Sequence, residues 1–216
     1  MKLRDYDAFI LDLDGTLIDS GKYHAQAFAD AVLEQGGYTL KPHEHDEFFG
    51  SHSSRFAETL NRRYGLKLQP EKVLFRKRER VREIFVAEPF EGAREFLEQW
   101  YGKKPMALAT NSPLSFVLPA LEEADLYKYF DFITTASEVT HRKPNPEIIE
   151  VTIQKLQVDP LKTLVFEDQM IGLEAARAAG ANVVAVDNGQ PVNYPPEIPV
   201  VTWMKLIDDK GIISWG

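Results

Sequence analysis

The sequence of 216 residues predicts an α/β protein in which a doubly wound parallel sheet carries an inserted all-helical domain. Short apolar runs typical of strands alternate with amphipathic helical patterns along most of the chain, which is the order expected of a parallel sheet. Residues 16–88 interrupt this order with helical patterns alone. Because one crossover connection needs far fewer residues, this stretch is predicted to form a separate unit.

Five segments are predicted to be strands. Their side chains are mostly apolar without alternation, which is typical of strands covered on both faces of a sheet. In chain order they are Ala8–Asp12, Met106–Thr110, Phe132–Thr135, Thr163–Glu167 and Ala181–Asp187.

Three helices are predicted between the later strands, each from apolar residues that recur at helical spacing. A glycine ends the first and the third, and Asn145–Pro146 offers an N-cap and a first-turn proline for the second. Their apolar stripes comprise Ala93, Phe96, Leu97 and Trp100; Ile149, Ile153 and Leu156; and Leu173, Ala176 and Ala179.

Three more helices are predicted within residues 16–88, again from apolar residues at helical spacing. Glycines follow the first two stripes, and Pro70 and Pro89 bracket the third. The stripes comprise Ala25, Phe28 and Val32; Phe56, Leu60 and Tyr64; and Val81, Ile84 and Phe85.

These patterns divide the chain into an α/β core of residues 1–15 and 89–216 and a helical cap of residues 16–88. The third cap helix contains the basic run RKRERVR at residues 76–82. Such a run is usually a solvated charged face, and the alternative is a positive surface that helps to hold an anionic substrate. The sequence leaves both interpretations open.

The composition, with 44% hydrophobic and 27% charged residues, is that of a globular protein. No apolar run approaches the roughly 20 residues of a membrane helix, so we expect a cytoplasmic protein without a membrane partner. The absence of cysteine excludes disulfides, thiol catalysis and cysteine metal sites. The net charge of −8 disfavours nucleic acid as a partner but allows a small phosphorylated metabolite to bind at a local positive site. We expect a monomer or a small homo-oligomer.

The stretch FILDLDGTLIDS, residues 9–20, places Asp12 and Asp14 at the end of the first predicted strand. Ligands of open α/β sheets bind beyond the carboxyl ends of the strands, and two buried carboxylates this close together repel each other. A hard divalent cation with oxygen ligands, above all Mg²⁺, relieves that repulsion. A calcium loop of the EF-hand type is excluded, because Leu17 and Tyr23 stand where it needs glycine and glutamate. Helix capping by the two carboxylates is the structural alternative.

Three further motifs follow DLDGTL along the chain. The four are DLDGTL at residues 12–17, ATNS at 109–112, RKPNPE at 142–147 and VFEDQMIGLEAARAAG at 165–180. In this order and at this spacing they resemble the haloacid dehalogenase superfamily, in its helical-cap branch of phosphatases and phosphomutases. The resemblance covers essentially the whole chain. It implies a Rossmann-like core with an inserted helical cap and a hydrolase that uses Mg²⁺.

The resemblance implies a role in phosphoryl transfer for each matching residue. Asp12 would be the nucleophile that forms an aspartyl phosphate, and Asp14 would exchange protons with the leaving group and with water. Thr110 and Asn111 would bind phosphoryl oxygens, and Lys143 would supply the fixed positive charge that the reaction needs. Taken alone, a threonine that ends a strand or a lysine beside a proline carries no functional meaning.

The resemblance also implies the metal ligands. It assigns Asp12 and Asp168 as direct ligands, and Asp14 as a ligand through its backbone carbonyl. Glu167 would be a further ligand or would orient Lys143. Adjacent acids such as these also occur as ordinary charges at helix N-termini, so their weight comes from their position after a buried strand.

Comparison with the family pattern at three positions refines the expected activity. Gln169 stands where many relatives have serine, which removes no catalytic group. Dehalogenases of the superfamily lack the second aspartate, so Asp14 argues against dehalogenation. Phosphonate-cleaving relatives need a Schiff-base lysine in the cap, and the context of Lys22 does not match that lysine.

The expected activity is hydrolysis of a phosphomonoester of a small metabolite, such as a sugar phosphate or phosphoglycolate. The loop FFGSHSSR, residues 48–55, resembles the substrate-specificity loop of the cap, so His24, His52 and Arg55 are candidate specificity residues. A lone histidine is more often a packing or surface residue. Ser53 stands where sugar-phosphate mutases of this type carry arginine, which weakens a β-phosphoglucomutase-like alternative. The third hypothesis, a non-catalytic phosphate-binding protein, is disfavoured by the intact catalytic set.

Overall fold

The computed structural model of the protein describes residues 2–48, 53–190 and 192–208. The described strands, β1 to β6, are Ala8–Leu11, Met106–Thr110, Phe132–Thr135, Thr163–Glu167, Asn182–Val186 and Val200–Val201. The described α-helices, α1 to α9, are Gly21–Gly36, Pro42–Phe48, Ser53–Tyr64, Pro70–Ile84, Ala93–Trp100, Leu114–Glu123, Glu147–Leu156, Met170–Ala178 and Trp203–Asp208. None of these helices combines the length and apolar character needed to cross a bilayer.

The chain forms two compact units. Met1–Asp19 and Ala87–Gly216 make up the α/β unit, and Ser20–Val86 make up the helical unit. The helical unit contains α1 to α4, and its sequence lies between the first and second strands of the sheet. The boundaries predicted from the sequence fall at residues 16 and 88.

The α/β unit is built on one parallel sheet with the strand order β3-β2-β1-β4-β5-β6, which confirms the predicted fold class. After β1 the chain passes to one side to form β2 and β3, and it then returns to the other side of β1 to form β4. Strand order therefore reverses between β1 and β4. In sheets of this kind the crevice at such a reversal is the usual ligand site.

Apolar and polar side chains do not alternate along these strands, and the structure shows why. Every residue of β1, β2 and β4 is buried, because these strands are covered on both faces. On one side, Phe9 and Phe166 from the sheet pack against Phe96 of α5 and Trp203 of α9, with ring centroids 4.8 to 5.7 Å apart. Aromatic groups at these distances stabilise the sheet–helix contact that holds β1 and β4 together.

Several elements differ from the prediction. The first strand is one residue shorter than predicted, and the fifth one residue shorter at each end. The helices α2, α6 and α9 and the strand β6 were not predicted. Strand β6 has two residues and α9 six, which is too short for a periodic pattern. Helix α6 contains Pro119, a residue type that disfavours a helix interior. In the seven-residue α2, polar residues predominate.

The helical unit has its own apolar core. The three predicted helices correspond to α1, α3 and α4. The apolar core contains the predicted stripe of α1 and Phe56 and Leu60 of α3, but α4 contributes Val73 rather than the predicted Val81, Ile84 and Phe85. The Phe28 ring stacks on Phe48 of α2 with centroids 4.5 Å apart, and Phe56 of α3 lies 5.7 Å from Phe28. Burial of these large apolar side chains stabilises the unit internally.

Two arginines of the basic run in α4 form ion pairs within the helical unit. Arg76 pairs with Glu34 of α1 at 2.7 Å and with Glu83 at 2.9 Å. Arg80 pairs with Asp30 of α1 at 2.7 Å and with Glu83 at 3.0 Å. These two arginines therefore connect α4 to α1.

A buried carboxylate stabilises the polar side of the helical unit. Glu44 of α2 is fully buried and accepts hydrogen bonds from the Tyr38 hydroxyl at 2.9 Å and from the Lys41 backbone N–H at 2.8 Å. Burial alone would raise the pKa of Glu44, but the hydrogen bonds from Lys41, Tyr64 and Tyr38 outweigh it and lower that pKa. The folded state therefore favours the ionised carboxylate.

We expect Glu44→Gln to lower the free energy of unfolding by about 1–3 kcal/mol at pH 7, because the amide cannot accept all of these hydrogen bonds. A pKa lowered by folding gives a stabilisation that is complete above the ordinary value of 4.5 and is lost as the pH falls through the folded value. The difference between wild type and variant should therefore shrink below pH 4.5. Urea unfolding at several pH values measures it.

Glu47→Gln is the matched control. Glu47 lies on the same helix and forms an ion pair with Arg63, but both side chains are exposed. Exposed pairs contribute about 0–1 kcal/mol, so this variant should be nearly neutral. Equal losses in the two variants would contradict a special role for the buried carboxylate.

Candidate active site

The candidate residues follow the carboxyl ends of three adjacent strands. Asp12 follows β1, Thr110 ends β2, and Glu167 ends β4. The register pairs Leu11 of β1 with Phe166 of β4, and the Asp12 backbone N–H donates to the Phe166 carbonyl at 3.0 Å. This register places the Asp12 carboxylate beside that of Glu167, at the reversal of strand order.

A buried lysine lies between these carboxylates. The Lys143 Nζ atom donates to Asp12 Oδ1 at 2.7 Å, to Glu167 Oε1 at 2.9 Å and to the Ala109 carbonyl at 2.8 Å. These three acceptors match the three protons of an ammonium group. The Lys143 side chain is 2% exposed, so the ion pairs are shielded from solvent and the lysine is held in one position.

Asp168 joins Asp12 and Glu167 in a buried acidic group. Each residue offers one carboxylate oxygen, and these oxygens all lie within 4.8 Å of one another. Burial, opposed by Lys143, raises the pKa of Asp12 to about 8. Burial and the neighbouring charges of Glu167 and Asp12 also raise the pKa of Asp168 well above its ordinary value. The group thus carries more negative charge than its surroundings stabilise.

The acidic group fits a hard divalent cation. Full ionisation of the three carboxylates would give three negative charges, of which Lys143 offsets one, so a divalent cation would balance the other two. The group offers only carboxylate oxygens, which are the ligands that Mg²⁺ and Ca²⁺ prefer. Asp12, Glu167 and Asp168 are therefore the residues that could hold such an ion.

The Asp14 side chain lies outside this acidic group. Its Oδ2 accepts a hydrogen bond from the Ser112 hydroxyl at 2.5 Å. The Ser112 backbone N–H in turn donates to Thr110 Oγ1 at 3.1 Å, which connects Asp14 to the end of β2. The two aspartates of the DLDGTL motif thus have different surroundings, since Asp12 contacts the buried lysine and Asp14 a neutral hydroxyl.

Asn111 supports the loop that carries the lysine. Its side-chain oxygen accepts from the Lys143 backbone N–H at 3.0 Å, and its amide nitrogen donates to the Lys143 carbonyl at 3.3 Å. This two-way contact fixes the Lys143 backbone relative to the end of β2. The Asn111 side chain is thereby engaged with the protein itself, so the expectation that it binds phosphoryl oxygens rests on its backbone.

The three candidate specificity residues belong to the helical part of the sequence. His24 is half-buried on α1, and Arg55 is exposed on α3. His52 lies outside the described residues. Ser53, which begins α3, is buried, and its hydroxyl accepts a hydrogen bond from Lys77 at 3.1 Å.

Several contributing residues were not identified from the sequence. The Thr16 hydroxyl donates to Asp168 Oδ1 at 2.9 Å, and Ser112 contacts Asp14 as described above. Gly172 lies so close to the Glu167 side chain that a Cβ atom at position 172 would be 1.8 Å from Glu167 Oε1. A glycine in the first turns of a helix that follows an acidic pair is the one local signal that could have indicated such close packing.

Gly15 is required at the turn after Asp14 for two reasons. Its φ of +82° is in the left-handed region that favours glycine. A Cβ atom there would also lie 2.2 Å from Asp168 Oδ2 and 2.8 Å from its Cγ. The absence of a side chain at Gly15 therefore allows Asp168 to approach the loop that carries both aspartates.

Comparisons with known proteins show which family the chain resembles. Residues 6–180 match the family of haloacid dehalogenase-like hydrolases. The chain is 32% identical over 183 residues to the fructose-1-phosphate phosphatase YqaB of Escherichia coli, covering 84% of this chain and 96% of that protein. It is 33% identical to a phosphorylated carbohydrates phosphatase of Thermotoga maritima, covering 81% and 82%. A solved structure from Thermotoga maritima, provisionally assigned as a β-phosphoglucomutase, superposes with a TM-score of 0.77 at 28% identity, covering 94% of this chain and 98% of that one.

Proposed function

The chain belongs to the haloacid dehalogenase-like hydrolase family, and on that basis we propose that it is a Mg²⁺-dependent phosphatase of small phosphorylated sugars. The observation that carries the proposal is the buried Asp12, paired with Lys143 and grouped with Glu167 and Asp168 at the end of the central strands. Phosphoryl transfer requires a nucleophile, a fixed positive charge beside it and a group that can bind a metal ion.

In the first step, an Asp12 carboxylate oxygen attacks the phosphorus atom of the ester. A bond between this oxygen and phosphorus forms while the bond to the sugar oxygen breaks. The sugar oxygen takes a proton from Asp14 and leaves as an alcohol, and the phosphoryl group remains on Asp12.

In the second step, a water molecule attacks the phosphorus of the aspartyl phosphate. Asp14 accepts the proton of that water, and the bond from phosphorus to the Asp12 oxygen breaks. Inorganic phosphate leaves with the water oxygen, and both aspartates return to their starting states. The Ser112 hydroxyl holds the Asp14 carboxylate by Oδ2 and so fixes where the proton is delivered and collected.

Asp12 has to be ionised to act as a nucleophile. Burial favours its neutral form, and Lys143 opposes burial without overcoming it, so the pKa of Asp12 remains at about 8. Mg²⁺ held by Asp12, Glu167 and Asp168 would supply the further positive charge that keeps Asp12 ionised and offsets charge on the phosphoryl oxygens. Lys143, fixed by three hydrogen bonds, keeps its charge beside the nucleophile throughout.

The names of two relatives support a phosphorylated sugar as substrate. Two relatives that are matched over most of their length act, by their names, on fructose 1-phosphate and on phosphorylated carbohydrates. The inserted helical unit has a core of its own, as expected of a cap that selects the leaving group.

Phosphate release from a panel of sugar phosphates and phosphoglycolate, with Mg²⁺ and with EDTA, tests the proposed function. We expect release from at least one sugar phosphate that stops in EDTA and returns with added Mg²⁺. Release that is indifferent to EDTA would overturn the metal requirement, and no release from any compound would overturn the hydrolase.

A sugar-phosphate mutase is the second candidate, favoured by the similarity to the Thermotoga maritima structure. Both activities use the same aspartyl phosphate and differ in whether water or a sugar hydroxyl accepts the phosphoryl group. Incubation with β-glucose 1-phosphate and product separation distinguishes them. Isomer interconversion that exceeds phosphate release would assign the chain to the mutases.

We expect Gly15→Ala to weaken Mg²⁺ binding by at least about 10-fold, because the new Cβ atom would push Asp168 away from the acidic group. Gly102→Ala is the matched control. Gly102 has a φ of +69°, but nothing lies within 4 Å of its Cβ position, so only backbone strain of about 1–2 kcal/mol results. Titration calorimetry on both variants measures the effect, and equal Mg²⁺ affinities would contradict the assignment of Asp168 to the metal.

A further inference from the structure

The segment after β5 contacts both loops that carry the candidate metal ligands. The Asn188 side-chain nitrogen donates to the Gly15 carbonyl at 2.6 Å and to Asp168 Oδ2 at 3.2 Å. Gly15 follows the two aspartates of the first motif, and Asp168 belongs to the fourth. The Asn188 amide thus bridges two loops, and the residues that it contacts there lie 173 and 20 residues before it in the sequence.

The orientation of this amide is fixed by its other end. Asn188 Oδ1 accepts a hydrogen bond from the Gln190 backbone N–H at 3.0 Å. A reversed amide would place its oxygen against a carbonyl and a carboxylate oxygen and its nitrogen against an N–H donor. Repulsion on both sides excludes that arrangement, so the donor side faces the acidic group.

Asp168 is held at three points, two of them from the segment after β5. The Thr16 hydroxyl donates to Oδ1 at 2.9 Å, Asn188 donates to Oδ2, and the Tyr194 hydroxyl donates to the Asp168 backbone carbonyl at 2.6 Å. Both carboxylate oxygens therefore have a donor outside the acidic group. This restricts rotation of the carboxylate about its side-chain bonds.

Such restraint counters a specific electrostatic force. Asp168 lies within 4.8 Å of the carboxylate oxygens of Asp12 and Glu167, and their repulsion favours its rotation away from them. Asn188 is uncharged, so it opposes this rotation without adding positive charge to the acidic group. A lysine or arginine here would hold the carboxylate equally well but would reduce its attraction for a cation.

We infer that Asn188 is a positioning residue that holds Asp168 and the Gly15 turn in the geometry that binds the divalent cation. The inference rests on the metal site of the proposed function. Groups that orient metal ligands through hydrogen bonds typically change metal affinity about 10- to 100-fold when removed. The two groups to which the Asn188 amide donates, the Gly15 carbonyl and the Asp168 carboxylate, belong to the metal site, so its loss should act on the metal rather than on the substrate.

The test compares Asn188→Leu with Asn182→Leu. Leucine keeps the branched shape of asparagine but cannot donate. Asn182 begins β5, at the end of the strand opposite to the segment that carries Asn188. Its side-chain amide donates to the Leu161 carbonyl at 2.9 Å and to the Thr163 carbonyl at 3.4 Å, so it matches Asn188 in residue type and in donating to two acceptors. Thermal unfolding without metal and Mg²⁺ titration by calorimetry without substrate are measured on both variants and the wild type.

We expect the Mg²⁺ dissociation constant to rise about 10- to 100-fold in Asn188→Leu and to stay within about twofold in Asn182→Leu. With an active substrate, saturating Mg²⁺ should restore kcat in Asn188→Leu to within a few-fold of wild type, at unchanged KM. A folded Asn188→Leu with wild-type Mg²⁺ affinity would overturn the inference and leave the proposed function intact. A wild type that binds no Mg²⁺ would overturn the metal site and this inference together. Should Asn188→Leu not fold, Asn188→Ser, which is shorter, gives the same comparison.

Discussion

We expect Asp12→Asn to abolish phosphate release, with a loss of at least about 10⁴-fold, because the amide cannot attack phosphorus as the carboxylate does. The change is nearly isosteric, and the amide oxygen can still accept a hydrogen bond from Lys143. The fold should therefore be retained. Phosphate release from the best substrate of the panel, with a melting curve for each protein, measures both effects.

Asp131→Asn is the matched control for Asp12→Asn. Asp131 accepts a hydrogen bond from the Met106 backbone N–H at 2.9 Å, at the amino end of β2 and therefore at the opposite edge of the sheet from Asp12. Its asparagine variant should turn over at the wild-type rate. Acid-quenched wild type should also carry a phosphoryl group on the peptide that contains Asp12. An Asp12→Asn variant that retains turnover within about tenfold of wild type would contradict the nucleophilic role.

The second large effect is expected for Lys143→Met, which should lower the free energy of unfolding without metal by about 3–5 kcal/mol. The variant leaves Asp12 and Glu167 buried without their shared cation, and the Ala109 carbonyl loses its donor. Activity should also fall by about 10²–10³-fold, because a fixed positive charge beside the reacting phosphoryl group is lost. Urea unfolding without metal and the kinetics at saturating Mg²⁺ separate the two effects.

Lys155→Met tests whether the buried position of Lys143 matters. Lys155 pairs with Glu138 at 2.5 Å, but its side chain is 28% exposed, so the pair lies close to solvent. Its loss should change the free energy of unfolding by less than about 1 kcal/mol and leave kcat unaltered. Comparable destabilisation by both variants would mean that the Lys143 ion pairs contribute no more than an ordinary surface pair.

The sequence indicates the fold well where its local signals are strong. Continuous apolar runs identified all five longer strands because a strand buried on both faces needs apolar side chains at every position. The two-residue β6 and the six-residue α9 are too short to have a period, and their position depends on pairing with β5 and on packing of Trp203. The proline inside α6 opposed a helix that tertiary packing nevertheless stabilises.

The candidate site shows the same division. Residue type and position after a strand indicated Asp12, Asp14 and the acidic pair as candidates, and the resemblance to the family indicated Lys143. Their assigned roles stay predictions until the variants are measured. The sequence did not indicate Thr16, Ser112 or Asn188 as contributors, since serine, threonine and asparagine are common in loops. Their contribution becomes clear only from the aspartates that they contact in the folded protein.

The sequence by itself determined the five longer strands, six of the nine described α-helices and the kinds of chemical group available, because these depend on neighbouring residues. The tertiary structure decided which groups meet. Lys143 contacts Asp12 across 131 residues, Ser112 contacts Asp14 across 98, and Asn188 contacts Gly15 across 173. Such contacts follow from strand order and register, which bring the carboxyl ends of β1, β2, β4 and β5 to one edge of the sheet. Because these groups are buried at that edge, the ionisation of each depends on the partner that the fold places beside it.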